Sequence, residues 1–123
     1  MLKKENPVDY SIIIPVYQNE GSLNDVFHKI KVNVIDKNPQ YSCEIIFIDD
    51  GSTDNSFQVL NNLYENYPEL IVIVKLTRNF GTYPAIIAGY EKARGNCLIN
   101  ISADLQDPPE LINEMLSSYF SEN

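Results

Sequence analysis

Four short apolar runs alternate with four stretches of helical periodicity along the chain. The runs cover residues 11–16, 44–48, 71–76 and 97–101. Each is rich in Ile and Val and nearly continuous, which suits a parallel strand buried on both faces. Between the first two, Leu23, Val26, Phe27, Ile30 and Val34 recur at helical spacing, with Ser22 as a candidate N-cap and Asp25 three places on. Phe57, Leu60, Tyr64 and Tyr67 mark a second helix. A third, over about 83–93, is rich in small residues (Ala85, Ala88, Gly89, Ala93), which lets a helix approach a sheet closely. The last places Leu111, Ile112, Met115, Leu116 and Tyr119 on one face.

This βαβαβαβα order predicts a three-layer α/β sandwich, with a mostly parallel Rossmann-like sheet, right-handed crossovers and helices on both faces. The 123 residues suffice for one compact core and are too few for two, so residues 1–123 are expected to form a single domain. There is no internal repeat, low-complexity tract or linker, and the composition changes only at the polar tail before Val8. A sandwich of this kind usually continues past a fourth helix, so the expectation is a truncated fold. Its fourth strand is expected to present an open edge through which copies self-associate.

Ligands of open parallel sheets bind beyond the carboxyl ends of the strands. Each run here is followed by a polar cluster. The first is Pro15-Val16-Tyr17-Gln18-Asn19-Glu20, the second Asp49-Asp50-Gly51-Ser52-Thr53-Asp54, and the third Thr77-Arg78-Asn79-Phe80-Gly81. The fourth is Ser102-Ala103-Asp104-Leu105-Gln106-Asp107-Pro108-Pro109. Chance would scatter such residues over both edges of the sheet, and their gathering on one edge predicts a single site.

Charge narrows what that site binds. With 17 acidic residues against 9 basic, the net charge is −8, which argues against a nucleic-acid partner. An acidic domain that binds a diphosphate must draw positive charge from elsewhere, and a divalent cation is the natural source. Neither a G-x-G-x-x-G after the first strand nor a G-x-x-x-x-G-K-[ST] occurs, which excludes a dinucleotide cradle and a P-loop. No apolar run approaches the ~20 residues needed to span a bilayer and no signal peptide is visible, so a cytoplasmic location is expected. Cys43 and Cys97 lie beside apolar runs and are expected to be reduced core residues.

Asp104 and Gln106 together offer a carboxylate and an amide oxygen, the donors that Mg²⁺ or Mn²⁺ prefers alongside substrate phosphates. At a strand end, Asp49 or Asp50 could accept a hydrogen bond from the imino N–H of uracil, thymine or guanine, and Tyr17 could offer an apolar face to base or ribose. Each reading has a plainer rival. Asp54 is expected to cap the second helix. Asp107, before Pro108-Pro109 with Glu110 three places later, reads as a helix cap as readily as a ligand. Asp49 and Asp50 could be turn residues before Gly51, and Arg78 could serve a diphosphate or pair with a neighbouring carboxylate. His28 reads as a surface residue.

Ile13-Ile14-Pro15-Val16-Tyr17, then Ile48-Asp49-Asp50-Gly51-Ser52-Thr53-Asp54, Arg78-Asn79-Phe80-Gly81 and Ala103-Asp104-Leu105-Gln106-Asp107-Pro108-Pro109 occur in that order. In these motifs the chain resembles the family 2 inverting glycosyltransferases of GT-A fold, and most of all the dolichol- or polyprenyl-phosphate sugar transferase branch, over about residues 10–119. The resemblance implies that Pro15, Tyr17 and Asp50 line the nucleotide pocket, with Ile48 and Asp49 beside them. Ala103 and Asp104 would approach ribose and diphosphate. Asp104 with Gln106 would hold Mg²⁺ or Mn²⁺, which makes Asp104 the residue assigned to catalysis. Glu20, Arg78 and Ser102 complete the implied nucleotide-binding set. Two positions depart from the family pattern. Ser102 stands where the usual D-x-D begins with Asp, and Gln18-Asn19-Glu20 replaces the frequent Asn-Glu-Glu after the tyrosine.

The implied reaction is inverting transfer of a sugar from a UDP- or GDP-linked donor to an acceptor, a polyprenyl phosphate in the lipid-linked branch, as in the synthesis of lipid-linked sugars or envelope polysaccharide. The family's acceptor side, and in that branch a membrane anchor, come from sequence that would follow Asn123. The 123-residue chain is therefore expected to bind nucleotide weakly and transfer no sugar. The rival readings are a non-catalytic nucleotide-sugar-binding module and a nucleotidyltransferase, whose usual Gly-rich basic phosphate loop is missing here.

Overall fold

The computed structural model describes residues 5–104 and 108–121. Val8–Val16 (β1), Cys43–Asp49 (β2), Ile71–Lys75 (β3) and Gly95–Asn100 (β4) form one parallel sheet in the order β3-β2-β1-β4. All four strands occur where the apolar runs predict them, with β1 extended back through Asp9 and Tyr10. The chain steps outward from β1 to β3, then crosses back to lay β4 against the other side of β1. The strand order therefore reverses between β2 and β4, with β1 at the pivot. Such reversals open a crevice beyond the strand ends.

The helices are α1 (Leu23–Ile30), α2 (Ser56–Asn66), α3 (Thr82–Lys92) and α4 (Pro109–Ser121), and a π-helical turn, Lys31–Ile35, prolongs α1. Strand alternation divides the core in two. Ile12, Ile14, Ile45, Phe47 and Ile99 join Leu23, Val26, Phe27, Ile30, Leu60, Ile112 and Leu116 in the larger core, beneath α1, α2 and α4. Ile13, Ile46 and Ile48 face the other way and meet Ala85 and Ala93 of the α3 segment. The small residues of α3 earn their place here, because a Cβ on Gly89 would stand 2.7 Å from Ile13 Cγ2 and 2.8 Å from Ile48 Cδ1.

Three expectations need correction. Burial on both faces holds for β1 and β2, whereas the outer strands are only partly covered, and Leu98 of β4 is 39 % exposed. On α2 the buried positions are Ser56, Leu60 and Leu63, while Tyr64 and, just past the helix, Tyr67 are half-exposed. Tyr67 instead leans on Phe27 with ring centroids 4.8 Å apart. On α4 only Ile112 and Leu116 are buried, and Leu111, Met115 and Tyr119 border an open groove beside β4. In each case the apolar stripe is wider than the surface available to cover it, so half of it stays at the boundary.

At the amino ends of the strands lies a buried polar network that the apolar pattern conceals. Glu44 is fully buried in β2, and its Oε2 accepts from Ser11 Oγ and from the Arg94 amide, both at 2.6 Å. Its Oε1 accepts from Arg94 Nε at 3.0 Å, which pairs the buried charge. Cys43 and Cys97 are free and partly buried, as expected, and burial is the largest effect raising both thiols above their ordinary pKa. Among the described residues no helix is long and apolar enough to cross a membrane.

Candidate functional site

Three strand ends and one helix start enclose a cavity of about 250 Å³. Pro15, Val16, Tyr17 and Asn19 come from β1 and the loop after it, Asp50 from the end of β2, and Thr82 from the start of α3. Ser102, Ala103 and Asp104 come from the segment beyond β4. Open grooves of about 540 and 600 Å³ run along β3 and β4. Only the smaller cavity collects residues from three strand ends, where the strand order reverses.

Asp50 is sunk to 3 % exposure. Its Oδ1 accepts from the Phe80 amide at 2.8 Å, and its Oδ2 from the Gly81 amide and Asn79 Nδ2, both at 3.1 Å. The loop after β3 is thus clamped onto the turn after β2. Gly51 makes the approach possible: its φ is +72°, and a Cβ there would lie 2.3 Å from the Arg78 carbonyl carbon. A carboxylate offers about four acceptor sites. Three are taken, which leaves one on Oδ1.

Asp49 continues the Ile45–Phe47 face and is fully buried outside the cavity lining, with Oδ1 accepting from the Ser52 amide at 3.1 Å. Its Oδ2 is buried and has no hydrogen-bond partner among the described residues. Ile48 is buried beneath Gly89 of α3 and does not line the cavity. Arg78 also lies off the lining, with its guanidinium 4.3 Å from the centroid of the Phe80 ring. Glu20 is exposed, and its amide donates to Asp54 Oδ2 at 3.3 Å. Asp54 also accepts from the Ser56 amide at 2.9 Å at the start of α2. The slight burial of Asp54 pushes its pKa up, but the hydrogen bonds from Ser56 and Glu20 outweigh that and hold the carboxyl below its ordinary value.

Asp104 is exposed, and its Oδ1 accepts from Ser102 Oγ at 2.5 Å. The Ser102 hydroxyl thus fixes the direction of the Asp104 carboxylate. Ala103 is buried, and its carbonyl accepts from Ser22 Oγ at 2.9 Å. Ser22 was expected to cap α1. It occupies the N-cap position without a side-chain cap bond, because its hydroxyl is turned to the Asn19 and Ala103 carbonyls. Gln106 and Asp107 lie outside the described residues.

The cavity thus gathers Pro15, Tyr17, Asp50, Ser102, Ala103 and Asp104 of the expected set, and leaves Glu20, Ile48, Asp49 and Arg78 off its lining. Sequence reasoning missed Val16, Asn19 and Thr82. The first two sit inside a quoted cluster, while Thr82 carries no signal beyond following Gly81 at a helix start. The described lining holds two carboxylates and no basic side chain, and no group of three or more His, Cys, Asp or Glu gathers among the described residues. One exposed carboxylate still fits Mg²⁺ or Mn²⁺, which is commonly held by one or two carboxylates and completes its oxygen shell with water and substrate phosphates.

The same architecture occurs in solved glycosyltransferases. S. aureus TarS 1–349 in complex with UDP superposes with a TM-score of 0.72 at 20% identity, over 93% of this chain and 32% of that one. Mannosyltransferase PcManGT from Pyrobaculum calidifontis, in complex with GDP-Man and Mn²⁺, gives 0.73 at 21% identity, over 89% and 32%. The fold is that of the GT-A glycosyltransferases. The profile of glycosyl transferase family 2 matches residues 11–123, and the chain belongs to that family. A relative is the undecaprenyl-phosphate 4-deoxy-4-formamido-L-arabinose transferase of Pseudomonas aeruginosa, 38% identical over 114 residues, which are 92% of this chain and 33% of that protein. The chain spans about a third of the length of the curated relatives it matches.

Proposed function

We propose that this chain holds the nucleotide diphosphate of a UDP- or GDP-linked sugar in the cavity at the ends of β1, β2 and β4. The proposed activity of the protein is inverting transfer of that sugar to a lipid phosphate. The observation that carries the reading is one cavity shared by a sunk carboxylate, an exposed carboxylate and the half-exposed Tyr17 ring. Tyr17 offers its face to base or ribose. Asp50 accepts the imino N–H of the base at its one remaining site. Uracil presents a single such donor, whereas guanine presents an N1–H and N2–H pair, so the free site favours UDP over GDP.

Asp104 is the proposed metal-holding and catalytic residue, with Gln106 as its expected companion and Ser102 keeping its carboxylate aimed. A bound Mg²⁺ or Mn²⁺ supplies the positive charge that the lining lacks, offsetting charge that develops on the departing diphosphate. Inversion requires attack from the face opposite the leaving group. A lipid phosphate is already anionic and needs no general base to do so. The Pseudomonas aeruginosa relative, an undecaprenyl-phosphate sugar transferase, supports that acceptor.

Calorimetry with UDP and GDP, each with and without Mn²⁺, tests the reading. Binding is expected only with Mn²⁺, and tighter for UDP. Failure of both nucleotides to bind in the presence of Mn²⁺ would sink it, and tighter binding of GDP would remove the role given to the free site on Asp50.

A further inference from the structure

Gln18 lies outside the cavity, yet its backbone and side chain are both committed beside it. Its φ is +56°, in the left-handed region that a residue with a Cβ rarely enters. Four hydrogen bonds hold it there. Its amide donates to Ser52 Oγ at 3.0 Å, and its Oε1 accepts from the amides of Thr53 at 2.6 Å and Asp54 at 3.2 Å. Its Nε2 donates to Thr53 Oγ1 at 2.9 Å. The side chain thus spans from the loop after β1 to the turn after β2, its amide oxygen accepting and its amide nitrogen donating.

The neighbours of Gln18 behave differently. Tyr17 and Asn19 both line the cavity, and the Tyr17 amide donates to Asn19 Oδ1 at 2.8 Å. A left-handed residue between them turns the chain so that 17 and 19 serve the cavity while 18 faces the neighbouring turn. Asn19 is held in its turn by Ser56 Oγ, which accepts its amide at 2.9 Å. The anchoring turn is itself fixed to β2 through the Ser52 amide on Asp49 Oδ1. Strain at a residue off the cavity lining, held by bonds to a second loop, points to a device for placing its neighbours.

We infer that Gln18 is a positioning residue of the donor site, which sets Tyr17 and Asn19 against the nucleotide by locking the loop after β1 to the turn after β2. The inference rests on the donor-site reading above. Gln18→Gly removes the side chain and the backbone strain together, so a purely structural role predicts altered stability with unaltered ligand binding. Positioning predicts the reverse: a near wild-type melting temperature, with the Kd for UDP in the presence of Mn²⁺ raised roughly tenfold. Gln18→Glu keeps the Oε1 acceptor for the two amides and is expected to recover most of the affinity.

A second readout needs no nucleotide. Amide hydrogen exchange at Thr53 and Asp54 should accelerate in Gln18→Gly, and the amide resonances of Tyr17 and Asn19 should move while those of α3 stay in place. Unchanged exchange and resonances would overturn the inference, as would faster exchange with unchanged UDP affinity. If the wild-type chain binds no nucleotide, the donor-site reading falls by itself, and the exchange and resonance data still decide whether Gln18 places Tyr17 and Asn19.

Discussion

Asp50 and Asp104 reach the same cavity with opposite surroundings. Asp104 is exposed and, among the described residues, is held by the Ser102 hydroxyl, so the fold should tolerate its loss. Asp104→Ala is expected to leave the melting temperature unchanged and to weaken Mn²⁺-dependent UDP binding about tenfold or more, since even residues behind a metal ligand are worth that much. Calorimetry at fixed Mn²⁺ checks it. Asp50 carries three bonds from the loop after β3, so Asp50→Asn should cost stability and lower UDP affinity by about 2 kcal/mol. Binding of pyrophosphate with Mn²⁺ should hold nearly constant, and equal weakening of both ligands would make Asp50 a purely structural residue. Asp54 gives a pH signature. Its folded pKa lies below the ordinary 3.8, so its stabilisation is complete above that value and disappears as pH falls through the folded pKa. Urea titrations of wild type and Asp54→Asn should differ at neutral pH and converge in acid.

At the scale of elements, nearly continuous apolar runs and the period of 3.6 were enough to find the four described strands and α1 to α4 in order, though not the π-helical turn that prolongs α1. They were not enough to say how much of each stripe is covered. Leu63 is buried beside Leu60 although the apolar pattern does not mark it, Tyr64 and Tyr67 stay at the surface, and the α4 stripe is half open, because coverage depends on the neighbour and not on the element. Buried Glu44 shows the same limit: only the approach of Ser11 and Arg94 makes its burial tolerable. The α3 small-residue stripe was legible, and at Gly89 even a Cβ would press on Ile13 and Ile48. Gly89→Ala should therefore destabilise by about 1 kcal/mol in urea unfolding, the overpacking cost exceeding the gain in helix propensity. A stabilised Gly89→Ala would show that the sheet yields at this contact.

For the whole molecule, the sheet runs β3-β2-β1-β4, and among the described residues no strand pairs with the outer side of β4. The half-exposed Leu98 and the apolar groove against α4 adjoin that edge. Unpaired edges recruit other strands. Sedimentation should show concentration-dependent self-association, and Leu98→Lys should abolish it, because a charge on the edge opposes pairing. A wild-type chain that stays monomeric at high concentration would refute this. By itself the sequence determined the alternation of strands and helices, the polar clusters at the strand ends and the family motifs, because each is written in neighbouring residues. The strand order, the six expected residues that share one cavity, and the use of Asp50 and Gln18 as clamps between loops were decided only in three dimensions. Those depend on contacts between segments about 30 or more residues apart, and local periodicity carries no trace of which distant backbone group a carboxylate or amide will meet.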